Sequence, residues 1–115
     1  MTILDTSIVI ERVRARKSIE EDITVVTLVE YPRIVYYKRF YGGVVFPVEQ
    51  DYFTAHRLQL QLMRRGRPQA FADLLVASIA LARGEKLVTM DRDFLFIAEA
   101  ARELGYRLDL ELVAP

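Results

Sequence analysis

Four acidic positions sit where apolar residues otherwise dominate, and they are the chain's chemical signature. Asp5 follows Met1-Thr2-Ile3-Leu4, and Glu30 lies in Val25-Val26-Thr27-Leu28-Val29-Glu30-Tyr31. Asp73 interrupts Phe71-Ala72-Asp73-Leu74-Leu75-Val76-Ala77, and Asp91 closes Leu87-Val88-Thr89-Met90-Asp91, with Asp93 two residues on. A carboxylate half buried among aliphatic side chains is costly unless something neutralises it. No basic residue interrupts those apolar stretches. If the acids converge in space, a divalent cation is their natural partner, because hard carboxylate oxygens suit Mg²⁺ or Mn²⁺. The chemistry to expect is metal-assisted hydrolysis of phosphate esters.

Those acids need a scaffold, and the pattern between them supplies one. Short apolar runs alternate with helical-period segments, as in βα units around a parallel sheet. Strands are expected at 2–4, 23–27 and 86–90, a short extended piece at 44–48, and an edge strand at 107–113. Helices are expected at 6–16, 28–40, 49–65, 70–83 and 93–104. Leu58, Leu62 and Phe53 should face inward from the 49–65 helix, Gly42-Gly43 should stop the helix before it, and Gly84 should cap the 70–83 helix. In an open parallel sheet, ligands bind beyond the carboxyl ends of the strands. Asp5 and Asp91 would each follow a strand, while Glu30 and Asp73 would each lie in the first turn of a helix. Taken singly, Asp5, Asp73 and Asp91 suit ordinary helix caps. Glu30 does not, and the four together point to one sheet edge.

Composition narrows the alternatives. The chain has 115 residues, enough for a single domain spanning 1–115 and its core. It contains no cysteine, which excludes disulfides, zinc–thiolate sites and thiol catalysis. Sixteen basic and sixteen acidic residues cancel, so the overall field gives no argument for a polyanionic partner. Local basic groups at Arg12, Arg14, Arg16 and Lys17, at Arg33, Lys38 and Arg39, and at Arg64, Arg65 and Arg67 suit solvated helix faces. The last group is the exception to watch, because it leads into the Asp73 segment. Neither a signal peptide nor an apolar run long enough to span a membrane is apparent, so a cytoplasmic protein is expected. His56, the only histidine, reads as a surface or partly packed residue on its helix.

The residues also carry a family resemblance. Leu4-Asp5-Thr6-Ser7-Ile8-Val9-Ile10, Thr27-Leu28-Val29-Glu30, Arg65-Gly66-Arg67-Pro68 before Ala72-Asp73-Leu74-Leu75-Val76-Ala77-Ser78, and Leu87-Val88-Thr89-Met90-Asp91-Arg92-Asp93-Phe94 together resemble PIN domains. The most similar subgroup is the single-domain VapC-type toxins of toxin–antitoxin operons. The resemblance implies a three-layer α/β/α sandwich with a mainly parallel central sheet. It also implies a Mg²⁺- or Mn²⁺-dependent ribonuclease, homodimers, and inhibition by a cognate antitoxin. Asp5, Glu30, Asp73 and Asp91 match its acidic quartet, Asp93 a less constant acidic position, and Thr6 and Thr89 hydroxyl positions near the metal.

On that basis Asp5 and Asp91 are expected as direct ligands, and Asp73 as a ligand directly or through water. Glu30 would ligate through water or orient the nucleophile. Thr6 and Thr89 would hold carboxylate rotamers, and Arg67, Arg92 and Arg65 would meet RNA phosphates. Tyr36, Tyr37, Phe40 and Tyr41 suit base stacking, an interface, or packing on the sheet. Competing readings are a haloacid-dehalogenase-type phosphatase, a response-regulator receiver, and an inactive PIN-like binding or assembly module. Asp5 lacks the phosphatase's second acid two residues on, and the receiver's full set of acids and lysine cannot be assigned.

Overall fold

The computed structural model describes residues 1–115 as a parallel sheet with helices on both faces. Strands β1 (Thr2–Leu4), β4 (Lys86–Thr89) and β5 (Leu110–Leu112) form one ladder, and β2 (Ile23–Thr24) pairs with β3 (Val44–Val45). The two ladders are joined where Ile3 bridges to Asp22: Leu4 N donates to Asp22 O at 2.9 Å, and Asp22 N to Thr2 O at 3.0 Å. The order across the molecule is therefore β3-β2-β1-β4-β5, all parallel. The chain moves outward from β1 on one side and resumes on its other side at β4. A crevice forms at such a reversal, beyond the carboxyl ends of β1 and β4.

Period-2 alternation splits the core into two layers. Ile3 and Leu87 point into a cluster with α3 (Glu49–Arg64), α4 (Phe71–Arg83) and α5 (Phe94–Glu103). Their neighbours Leu4 and Val88 point into a second cluster with Ile8 and Val9 of α1 (Thr6–Arg14), and with Ile19, Ile23 and Ile34. Both faces are covered, which makes the molecule an α/β/α sandwich. α4 is the most buried helix, with every residue from Leu74 to Ala80 inside. It ends as expected, with Gly84 in the left-handed conformation (φ 63°) that a side chain would strain.

Residues 23–48 depart from expectation. The β-branched run at 23–27 is a strand only through Thr24, whose hydroxyl accepts the Val26 N–H at 3.2 Å and starts helix α2 (Val25–Glu30). The expected helix at 28–40 does not form as one piece. Pro32 disfavours helical backbone at Tyr31, which sits at φ −132°, ψ 68°, and a short 3-10 turn, Pro32–Tyr36, follows. Gly42 therefore stops no helix. It allows close approach, since a Cβ there would lie 1.8 Å from the Glu21 carbonyl oxygen. Elsewhere the differences are small: Phe53 faces solvent at 55% exposure, and β5 is shorter than the 107–113 segment. No helix is long and apolar enough to cross a membrane.

Candidate functional site

Asp5 and Asp91 stand just past the carboxyl ends of β1 and β4, at the crevice between them. Asp5 N donates to Val88 O at 2.9 Å, extending the β1–β4 ladder to the point where its side chain leaves the sheet. Asp5 occupies the N-cap position of α1, yet its carboxylate makes no capping bond. It accepts instead from Thr89 Oγ1 at 2.7 Å and from Ser7 Oγ at 3.4 Å. Both hydroxyls are in turn held by the β4 loop: Asp91 N donates to Thr89 Oγ1 at 3.0 Å, and Met90 N to Ser7 Oγ at 3.2 Å. The turn that carries Asp91 is thus fastened to Asp5 through two hydroxyls. Burial pushes the Asp5 carboxyl up, against the hydrogen bonds from Thr89, the Thr6 backbone and Ser7.

Asp73 comes from the first turn of α4, three residues past the N-cap Ala70, and has no hydrogen-bond partner of its own. Its carboxyl is raised from an ordinary 3.8 to about 6. Burial is the largest cause, followed by the charges of Asp5, Asp91, Glu30 and Asp93. No cation is among these causes, so Asp73 lies within electrostatic reach of the four other acids and no basic side chain offsets them there. Asp91 spends one oxygen locally, accepting from Asp93 N at 2.9 Å. Asp93 itself is exposed.

Glu30 arrives differently from its expected place. It is the last residue of α2 rather than in a first turn, and it is exposed. Thr6 Oγ1 donates to its Oε1 at 2.8 Å and also lies 2.8 Å from Thr27 Oγ1. Thr6 and Thr89 therefore each hold a carboxylate. Ser7 and Thr27 join them, and sequence reasoning did not single these two out. Thr27 had a signal, a hydroxyl one turn before Glu30 on the same helix face, but it was hidden while 23–27 read as a strand.

The donor set is hard oxygen throughout and carries excess negative charge, which fits Mg²⁺ or Mn²⁺ in chemistry and in charge. No three of the acids are gathered closely enough to enclose an ion. Of the three arginines expected to meet phosphate, Arg65 is otherwise engaged. It pairs with Glu99 at 2.9 Å and with Glu103, tying α3 to α5, and these contacts raise its pKa further. Arg67 stacks 4.4 Å from the Phe96 ring centre, and Arg92 is exposed with no ion-pair partner. His56 is exposed on α3, where it lines a surface cavity with Phe71 and Leu74.

No protein-family model matches the sequence, and no curated protein is similar enough to match it. Solved structures do match the fold. A chain in the structure of VapBC-1 from nontypeable Haemophilus influenzae aligns with a TM-score of 0.71 at 19% identity, over 96% of both chains. A chain of VapBC2 from Rickettsia felis, bound to a DNA fragment from its promoter, aligns at 0.72 and 19%, over 96% of this chain and 97% of that one. VapBC-5 from Mycobacterium tuberculosis, a member of the VapBC family of toxin–antitoxin systems, aligns at 0.64 and 21%, over 99% and 98%. These likenesses reach end to end, and they establish that the chain has the fold found in VapBC toxin–antitoxin structures.

Proposed function

We propose that the protein is a divalent-metal-dependent endoribonuclease, the toxin of a toxin–antitoxin pair. The observation that carries the nuclease reading is the unneutralised acid cluster, with Asp73 raised to about 6 by burial and by four neighbouring carboxylates. A fold shared with VapBC structures supports the toxin reading.

Asp5 and Asp91 are the direct ligands in this reading, Asp73 is a ligand directly or through water, and Glu30 ligates through water or orients the attacking water. Bound Mg²⁺ or Mn²⁺ would lower the pKa of a coordinated water and offset charge on the phosphate. Thr89 fixes one oxygen of Asp5, which leaves the other for a ligand. Thr6 keeps Glu30 facing the cleft against repulsion from the aspartates. Arg92 and Arg67 are the cations available to the RNA backbone, since Arg65 is held by its glutamates. Exposed apolar residues on α3 (Tyr52, Phe53, Leu60 and Met63), together with Tyr36 and Tyr41, are surface for a homodimer and a cognate antitoxin.

A second reading, a PIN-like binding or assembly module without turnover, is favoured by one observation: no three acids are set around one point. Incubating labelled single-stranded RNA with the protein and Mn²⁺ separates the two. Endonucleolytic fragments that vanish with chelator and with Asp5→Asn are expected. RNA left intact over a range of Mg²⁺ and Mn²⁺ concentrations would reject the enzyme reading.

A further inference from the structure

Thr27 is 1% exposed and carries a hydroxyl that needs a partner. A threonine or serine inside a helix commonly turns its hydroxyl onto the carbonyl four residues back. Ser78 in α4 does so, bonding Leu74 O at 2.7 Å. Thr27 instead reaches across to α1, where its Oγ1 lies 2.8 Å from Thr6 Oγ1. Thr6 also donates to Glu30 Oε1 at 2.8 Å. A hydroxyl has one proton and an ionised carboxylate has none. The Thr6 proton is therefore committed to Glu30, and Thr27 supplies the proton between the two hydroxyls. The result is a directed chain from buried Thr27 through Thr6 to exposed Glu30, in which each bond polarises the next. Glu30 needs such a hold. It ends a six-residue helix and faces like charge on Asp73.

We propose that Thr27 is a positioning residue for the acid site. Its hydroxyl orients Thr6 so that Glu30 is kept turned toward the aspartates, ready to take part in binding a divalent cation. The proposal rests on the metal-site reading above and adds to it a residue that touches neither metal nor substrate.

Mn²⁺ affinity measured by calorimetry tests it on wild type, Thr27→Val, Thr27→Ser and Glu30→Gln, with Thr27→Ala as a second deletion should valine not fold. Losing one neutral hydrogen bond of this kind corresponds to roughly fivefold weaker Mn²⁺ binding in Thr27→Val. Thr27→Ser should restore affinity to within about twofold, because it returns the proton. In the Glu30→Gln background, Thr27→Val should add little, because the two act through one chain. Unchanged affinity in Thr27→Val, no rescue by serine, or the same penalty with and without Glu30 would each overturn the proposal. Wild type that binds no Mn²⁺ would instead overturn the metal-site reading, and this inference with it.

Discussion

Carboxylates occur here in two settings that look alike in sequence and behave oppositely in the fold. Along the α3–α5 seam, Glu99 and Glu103 hold Arg65, and hydrogen bonds from Gln61 and Arg65 depress the Glu103 pKa. On the other face, Arg12 depresses Glu21 across a 2.6 Å contact. At the β1–β4 crevice, Asp5 and Asp73 are raised, and no cation of the chain answers them. Paired acids fasten elements together, whereas these two raised acids have no cation of the chain beside them, the setting in which a functional site is sought. The same contrast runs through the arginines, between Arg65 in its seam and Arg92 in solvent.

The largest expected effect breaks the cleft. Asp5→Asn and Asp73→Asn should each lower Mn²⁺-dependent RNA cleavage by about 100-fold or more, the scale of losing preorganised charge stabilisation. Metal-free Asp73→Asn should melt no lower than wild type, since it removes a repelled charge. Gel analysis of cleavage beside a melting curve checks both halves.

The next prediction is a pH dependence. Asp73 has a folded pKa of about 6 against an ordinary 3.8. Because the folded state holds the proton more tightly, the stability that this group contributes is full below about 4 and is lost as pH rises through about 6. Metal-free wild type should therefore lose stability between about pH 4 and 7 relative to Asp73→Asn, which lacks this titration. Paired denaturant curves show it; parallel pH profiles would mean that Asp73 is not under this strain.

Smaller effects separate the arginines. With Arg65 committed to its glutamates, Arg67 and Arg92 leave about two phosphate contacts, so RNA binding should fall with a log–log salt slope near −1.4. Replacing either by alanine should reduce that slope by about 0.7 and weaken all sequences alike. Arg65→Ala should leave the slope unchanged and lower the melting temperature slightly, an effect that high salt removes. A slope altered by Arg65→Ala would place the RNA path along α3.

How much of this was legible depended on what kind of signal each region carries. β1, α4 and β4 read correctly because long apolar runs, Gly84 and the strand–acid junctions at Asp5 and Asp91 all agree. The 23–48 segment misread because its β-branched residues favour strand while a hydroxyl cap at Thr24 and Pro32 decide the outcome. That error moved Glu30 from a first turn to a last one and hid Thr27. The placement of Asp5 and Asp91 just past the ends of β1 and β4 was legible from topology alone. Arg65's commitment to Glu99 and Glu103 was not, since pairing across 34 and 38 residues leaves no local trace.

Thermal melting with and without Mn²⁺ tests most directly whether the crevice acids form a cation site. Metal in about 100-fold excess over its dissociation constant should raise the wild-type melting temperature by roughly 10 °C. Asp73→Asn should start at or above the metal-free wild type and gain far less. A wild type that Mn²⁺ does not stabilise, or a metal-free Asp73→Asn that melts well below it, would make these carboxylates structural caps and contradict the account.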